Sequence, residues 1–282
     1  LGEDQQIIGQ FGVGFYSAFM VAKRVTVYSK AFGQDEAYAW SSEGVEGYTI
    51  HKCDKATHGT QIILELMDDS EDENYSEFLE QYRIQALVKK YSDYVRFPIK
   101  MAMEKSRQME KPADAGDDWK GGWESYTEIE TLNSMVPIWQ RSKSSVTTEE
   151  YHKFYRDKFH DYNDPQRVIS VSVEGSVTYK ALLFVPGAMP YDYYTNGYEK
   201  GLQLYSNGVL IMEHCEDLLA DHFRFVRGVV DSPDLSLNIS REMLQHDRQL
   251  KVIAANLEKK IKADLTKMLK DDRAAYETFW QN

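Results

Sequence analysis

Residues 9–20 read GQFGVGFYSAFM, with glycines at positions 9, 12 and 14 and an apolar stretch with helical character directly after them. Glycine reaches positive φ and close backbone approach without steric cost, and a helix N-terminus adds about half a positive charge at the same place. Such a turn can therefore bind an anion, most often a nucleotide phosphate. A tight glycine turn before a buried helix explains these residues equally well.

The order of the glycines excludes two common phosphate loops. A Walker loop requires a lysine and a Ser or Thr directly after its last glycine, and Phe15 follows Gly14 instead. A Rossmann fingerprint places its closely spaced glycine pair first, which is the reverse of the order found in this chain.

Composition narrows the class of protein. A chain of 282 residues is long enough for about two domains. A net charge of −12 argues against general affinity for nucleic acid. Cys53 and Cys215 form no Cys-x-x-Cys pair, which predicts a reducing, cytoplasmic setting and no metal site. We expect neither a membrane-spanning segment nor a signal peptide, since the sequence has no apolar run long enough to cross a membrane. Because the sequence that begins at Leu1 is typical of the middle of a domain, we expect the numbering to begin inside a longer protein.

The sequence pattern of residues 1–103 predicts a sheet flanked by helices. Residues 15–22 predict a helix buried on several sides. A second helix is expected to open at Asn74 in a capping box with Glu77. The acidic run 68–73 is interpreted as a solvated loop, since nothing near it completes a metal coordination shell. Strands are predicted, from alternation of apolar and polar residues, over residues 24–30, 36–41, 47–52, 58–66 and 97–103.

Residues 104–122 predict a flexible linker, since they are charged, contain one proline and three glycines, and lack periodicity. The chain is accordingly divided into domain 1–103, linker 104–122 and domain 123–282. In the second domain, Thr147 and Glu150 predict a capping box at the start of a helix. Further elements are predicted over residues 168–173, 177–185, 201–205, 209–213, 235–239, 249–269 and 273–280.

Two stretches of the second domain suggest binding or chemistry. Residues 189–194, MPYDYY, are dense in aromatic side chains, which fits either a partner-binding surface or a cover for the hairpins. Pro233 is expected to end a helix, and Arg241 and Gln245 follow it in the chain. The planar guanidinium of Arg241 fits phosphate oxygens and can act as an arginine finger. For Arg241 taken alone, a surface ion pair with Glu242 or Asp247 is the preferred interpretation.

Residues 8–20 and 223–245 together resemble the phosphate loop and the catalytic loop of the 90-kilodalton heat-shock protein chaperones, bacterial type, members of the GHKL ATPase superfamily. This resemblance runs through the whole chain in family order. It implies an α+β or α/β fold. Residues 1–103 would be the remnant of a GHKL (Bergerat-type) two-layer α/β sandwich, and residues 123–282 would be an αβα middle domain.

The resemblance also implies roles for particular residues. Thr60 would lie below the adenine, Arg241 would contact the γ-phosphate, and Gln245 would assist it. The phosphate loop would comprise Gly9, Gln10, Phe11, Gly12, Val13, Gly14 and Phe15. The implied cofactor is ATP with Mg²⁺, but the family's magnesium ligand and its water-activating glutamate would precede Leu1. No metal ligand and no general base are therefore assigned in this chain.

The function expected from the resemblance is that of an ATP-dependent molecular chaperone of the stress response. Its partners would be unfolded or partly folded client proteins and co-chaperones, with a homodimer in the parent protein and neither nucleic acid nor membrane. The isolated chain is expected to be inactive as an ATPase, because the upstream half of the nucleotide pocket is missing. A non-catalytic binding module is the alternative. Another GHKL ATPase, such as a topoisomerase or a mismatch-repair protein, is disfavoured by the acidic charge.

Overall fold

The structure is a computed structural model that describes residues 13–109, 121–235 and 248–281. It divides the chain into two compact units, Leu1–Gln85 and Ala86–Asn282, and each unit is described by itself. Helix α1, Gln81–Tyr91, contains the point of division.

The first unit is built on a four-stranded antiparallel sheet with the strand order β3-β2-β1-β4. Its strands lie close to the predicted positions, because each alternates apolar and polar side chains between glycine-containing turns. Their bounds are Ala22–Lys30 for β1, Ala37–Ser42 for β2, Tyr48–Cys53 for β3 and Gly59–Leu66 for β4.

The predicted helix before β1 is present as a 3₁₀ helix, Val13–Met20. The prediction that it is buried on several sides is wrong, since Tyr16 and Met20 are 70% and 74% exposed. Its apolar composition therefore reflects contacts made on one side only. Phe15 meets Trp40 edge-on at 5.7 Å between ring centroids, and Phe19 packs against Gly44.

The predicted capping box at Asn74 is also absent. A short 3₁₀ helix, Tyr75–Leu79, begins there, but the Asn74 side chain caps no backbone amide. Instead, the Ser76 amide donates to Asp69 Oδ1 at 2.8 Å, and this bond lowers the pKa of the Asp69 carboxyl. One residue of the predicted solvated loop thus has a structural role.

The predicted linker is partly strand. Strands β5, Lys100–Gln108, and β6, Trp123–Thr131, form an antiparallel hairpin that pairs from Lys100 with Thr131 to Gln108 with Trp123. Residues 104–108 are therefore regular structure, and the linker prediction is wrong for them. Composition indicated a linker because charged side chains alternate along these strands, where several pair across the hairpin, as Lys105 does with Glu128.

The main sheet of the second unit has five strands in the order β10-β9-β11-β8-β7. Four of these strands form the two predicted hairpins. Their bounds are Arg167–Val173 for β7, Tyr179–Val185 for β8, Leu202–Ser206 for β9 and Val209–Cys215 for β10. Strand β11, Arg227–Asp231, pairs parallel to β9 and antiparallel to β8. Its residues were predicted as a helix ending before Pro233, and that prediction is wrong.

Helices cover both faces of this sheet. Helix α3, Arg248–Asp271, buries Leu250, Ile253, Leu257 and Ile261 against one face. Helix α2, Thr148–Phe159, contributes Tyr155 and Phe154 to an aromatic cluster on the opposite face. A short helix α4, Arg273–Gln281, follows. The second unit therefore has the helix–sheet–helix layering that was predicted.

A tight turn in the second unit depends on one glycine. Asn207 and Gly208 join β9 to β10 with φ angles of 51° and 79°, as the Asn-Gly pair predicts for a two-residue hairpin. A Cβ atom added to Gly208 would collide with the carbonyl oxygen of Tyr94. Both positive φ and close backbone approach therefore require glycine here.

We expect Gly208→Ala to lower the free energy of unfolding by roughly 2 kcal/mol, because left-handed φ and a backbone collision add together. Calorimetry should record a fall of roughly 5 °C in the unfolding midpoint. Gly175→Ala, in the β7–β8 turn, is the matched control, since its added Cβ meets nothing within 4 Å. Equal effects of the two substitutions would contradict this account of the turn.

A second prediction concerns the capping box of α2, which is present as expected. Glu150 accepts hydrogen bonds from the Thr147 amide at 2.8 Å and from Arg141 at 2.8 Å. These bonds, with the Thr147 amide as the largest cause, lower the pKa of Glu150 from 4.5 to about 2. A carboxyl whose pKa is depressed by folding contributes stability above its unfolded pKa and loses that contribution as pH falls toward 2.

Glu150→Gln should therefore flatten the decline in unfolding free energy between pH 5 and pH 2, as measured by urea titration at several pH values. Glu174→Gln, in the exposed turn after β7, serves as the control and should leave the decline unchanged. A Glu150→Gln variant that keeps the full wild-type pH dependence would show that the capping carboxylate is not the titrating group.

Candidate functional site

The glycine turn of the first unit faces open space where it is described. A Cβ atom built on Gly14 meets nothing within 4 Å, and the φ angle of Gly14 is one that other residues adopt. Ser17 Oγ donates to the Gly14 carbonyl at 2.6 Å, which fixes the first turn of the helix. The backbone at Gly14 is thus accessible to a ligand, and glycine is not required there by the packing of the described residues.

Thr60 lies at the head of β4, directly opposite Ser29 of β1. The two hydroxyl oxygens are 3.3 Å apart, and both side chains are exposed. Gly59 precedes Thr60 with a φ of +106°, a conformation that favours glycine. The Gly-Thr pair therefore has a backbone reason for its glycine, and the threonine hydroxyl retains capacity for another partner.

Of the remaining predicted site residues, Phe15 packs edge-on against Trp40, and the others lie outside the described part of the chain. They are Gly9, Gln10, Phe11, Gly12, Arg241 and Gln245, and for Val13 only the backbone is described. Their assignment as phosphate loop, arginine finger and assisting glutamine stays a prediction.

The described residues on either side of 236–247 pack within the second unit. Asp231, at the end of β11, accepts hydrogen bonds from Trp139 Nε1 and Gln140 Nε2, each at 3.0 Å. Ser206 Oγ donates to the Leu235 carbonyl at 2.7 Å. Helix α3 begins at Arg248 on the other side and is held by its buried face. The described neighbours of residues 236–247 thus make specific contacts within the second unit.

The aromatic loop presents two of its three tyrosines to solvent. Tyr191 is 100% exposed and Tyr194 is 84% exposed. Tyr193 turns inward, and its backbone carbonyl accepts a hydrogen bond from Arg224 Nη2 at 3.2 Å. Of the two interpretations given to residues 189–194, exposure favours a partner-binding surface over a cover for the hairpins.

Arg224 fixes the base of this loop. Its guanidinium carbon lies 5.0 Å from the ring centroid of Tyr193 and 4.9 Å from that of Tyr198. Tyr198 Oη donates to the Arg224 carbonyl at 2.9 Å. Burial is the main cause that raises the pKa of both tyrosines, so they stay protonated at neutral pH. Sequence reasoning missed Arg224, because the tyrosines that it contacts lie far from it in the chain.

Beside the loop lies an apolar groove of about 450 Å³. It lies between the loop, the segment around Phe225 and helix α4, and no carboxylate of the described residues lines it. Its lining residues include Met189, Pro190, Tyr193, Tyr194, Phe225 and Trp280. Aromatic and methionine side chains of this kind suit the binding of another polypeptide.

Two other kinds of site were sought within the described ranges. Residues 13–109, 121–235 and 248–281 contain no group of three His, Cys, Asp or Glu side chains able to hold a metal ion. In the same ranges, no helix is long and apolar enough to cross a membrane.

These features define an α+β chain of two units, one with an accessible glycine turn and the other an αβα unit with an exposed aromatic surface. The profile of the family described as Hsp90 protein matches residues 77–121 and 116–282. The chain therefore belongs to the Hsp90 protein family.

Curated relatives make the assignment more specific. The chain is 56% identical over all 282 residues to the chaperone protein HtpG of Bacillus subtilis (strain 168). It is 55% identical over 280 residues to that of Clostridium botulinum (strain Hall) and 54% identical over 281 residues to that of Alkaliphilus oremlandii. In each case the chain spans 44% of the length of the relative. The similarity is thus to one continuous portion of the HtpG chaperones.

Proposed function

We propose that this chain is the central portion of an ATP-dependent chaperone that assists the folding or maturation of client proteins. The observation that carries the proposal is the 56% identity to a chaperone protein HtpG across the whole chain. Family membership also removes the basis for the topoisomerase and mismatch-repair alternatives. We place the protein in the cytoplasm, with co-chaperones as further partners and a homodimer formed by the longer protein.

In this proposal the first unit holds the nucleotide. The backbone amides of residues 12–15 bind the phosphates, and Thr60 lies below the adenine. The open space at Gly14 and the available hydroxyl of Thr60 support this assignment, since both can accommodate a ligand without displacing packed side chains. ATP supplies the phosphoanhydride bond, and its Mg²⁺ would be held by residues outside this chain.

The second unit completes the hydrolytic site. Arg241 contacts the γ-phosphate and stabilises the charge that develops during transfer, while Gln245 assists. What supports this role is the resemblance of residues 223–245 to the catalytic loop of the family, together with the packing of the described neighbours, Leu235 and helix α3, in the second unit.

A non-catalytic binding module is the second candidate for the isolated chain. The exposed Tyr191 and Tyr194 and the adjoining apolar groove favour it, because these features need no nucleotide to bind a partner. The two candidates differ in one measurement. If a protein of the relatives' length hydrolyses ATP and these 282 residues alone do not, the first candidate describes the longer protein and the second describes this chain.

Arg241→Ala in the full-length protein should lower the turnover number for ATP by more than about tenfold, with ATP affinity nearly unchanged. The reason is that the arginine acts on the transferring phosphoryl group and not on ground-state binding. Arg248→Ala, an exposed arginine at the start of α3, is the control and should retain turnover. Unchanged turnover in Arg241→Ala would overturn the finger assignment.

Gly14→Val should weaken ATP binding by at least about tenfold, or about 1.4 kcal/mol, because a branched side chain fills the space proposed for the phosphates. Calorimetric titration measures the affinity, and the unfolding midpoint without nucleotide should stay unchanged, since none of the described residues packs against Gly14. Tyr16→Ala removes a neighbouring exposed side chain without entering that space and should bind ATP normally. Normal binding by Gly14→Val would mean that the glycine only forms a turn.

A further inference from the structure

Strand β7 is an edge of the five-stranded sheet, with β8 on one side and no other described strand on the other. It pairs with β8 without a register shift from Arg167 with Val185 to Val173 with Tyr179, and it contains no proline. The opposite edge differs, because β10 changes register twice along its pairing with β9. Irregular edges resist the addition of a strand, whereas a regular edge presents backbone groups that can pair with one.

The two faces of β7 differ in character. Ile169 and Val171 are buried in the core beneath α3. Val168 and Ser170 lie on the α2 side and are only half-buried. Because side chains alternate with period two, a strand added beside β7 would place one set of its side chains toward α2 and the other set toward α3.

A cleft of about 370 Å³ runs beside β7 on the α2 side. Its lining includes Lys143, Tyr151, His152, Arg167, Val168 and Ser170. Arg167 is paired with Asp264 at 3.0 Å, and His152 lies 3.3 Å from Asp164. Lys143 is exposed and has no ion pair with any residue that the structure describes. No carboxylate lines the cleft within the described ranges, so its free charge is positive.

We propose that the β7 edge binds an extended segment of a client polypeptide as an additional strand, with acidic side chains of that segment facing Lys143. Main-chain hydrogen bonds give such binding its affinity and side chains give it selectivity. This suits a protein that handles unfolded chains of varied sequence. This inference rests on the proposed chaperone function. It adds that acidic, extended segments of a client bind as an additional strand.

The test uses the 282-residue chain and fluorescent peptides of ten residues, with binding measured by anisotropy. One peptide alternates glutamate with valine, a second alternates lysine with valine, and a third is the first with alternate backbone amides N-methylated. We expect the glutamate peptide to bind at least about tenfold more tightly than the lysine peptide. N-methylation should abolish its binding, because it removes main-chain donors without changing the side chains.

Lys143→Glu should reverse the preference between the glutamate and lysine peptides. Lys251→Glu, the same change at an exposed position of α3, should leave the preference as in the wild type. Undiminished binding of the N-methylated peptide, or an unchanged preference in Lys143→Glu, would overturn the inference.

Two further outcomes separate this inference from the function on which it rests. If the chain forms a dimer that Ser172→Lys dissociates, and no peptide binds, a second copy of the chain occupies the edge and the client assignment is wrong. If no peptide binds while the full-length protein hydrolyses ATP and suppresses client aggregation, the edge inference fails and the chaperone proposal stands. Loss of all three activities would contradict both.

Discussion

A buried carboxylate organises the second unit. Asp231 is only 4% exposed, and an unpaired charge at such a position would be strongly destabilising. Hydrogen bonds from Trp139 and Gln140 satisfy it and so fix the segment after β6 onto the end of β11. Trp139 then packs against Tyr94 and Tyr205, with ring centroids 4.6 Å and 5.3 Å away. The aromatic cluster on the α2 side of the sheet is thus held against β11, the strand that precedes Arg241 in the chain.

Helix α3, which follows residues 236–247 in the chain, packs on the other face of the sheet. Four of the five apolar residues that α3 buries belong to the core cluster shared with β7, β8 and β9 and hold the helix against the sheet. The described neighbours of residues 236–247 are therefore both packed in the second unit, since β11 ends at the hydrogen-bonded Asp231 and α3 is held by its buried face.

The sequence predicted those elements whose signals are local. The Asn207–Gly208 turn, the Thr147–Glu150 capping box and the apolar spacing of α3 each depend on residues close in the chain, and all three are present. Strand β11 was missed because its short apolar run fits a helix or a strand, and only its distant pairing with β9 decides between them. Of the candidate site, Gly14 and Thr60 could be located. The role of Arg224 depends on tyrosines about thirty residues away and has no local signal.

The most direct test of the split nucleotide site is photo-crosslinking of the full-length protein with an ATP analogue that carries the reactive group on its γ-phosphate. Peptide mapping then identifies which residues lie within reach of that phosphate. The account predicts labels both in the glycine turn around residues 12–15 and in residues 236–247. Labels confined to the first unit, under conditions in which the protein hydrolyses ATP, would contradict the claim that the second unit completes the site.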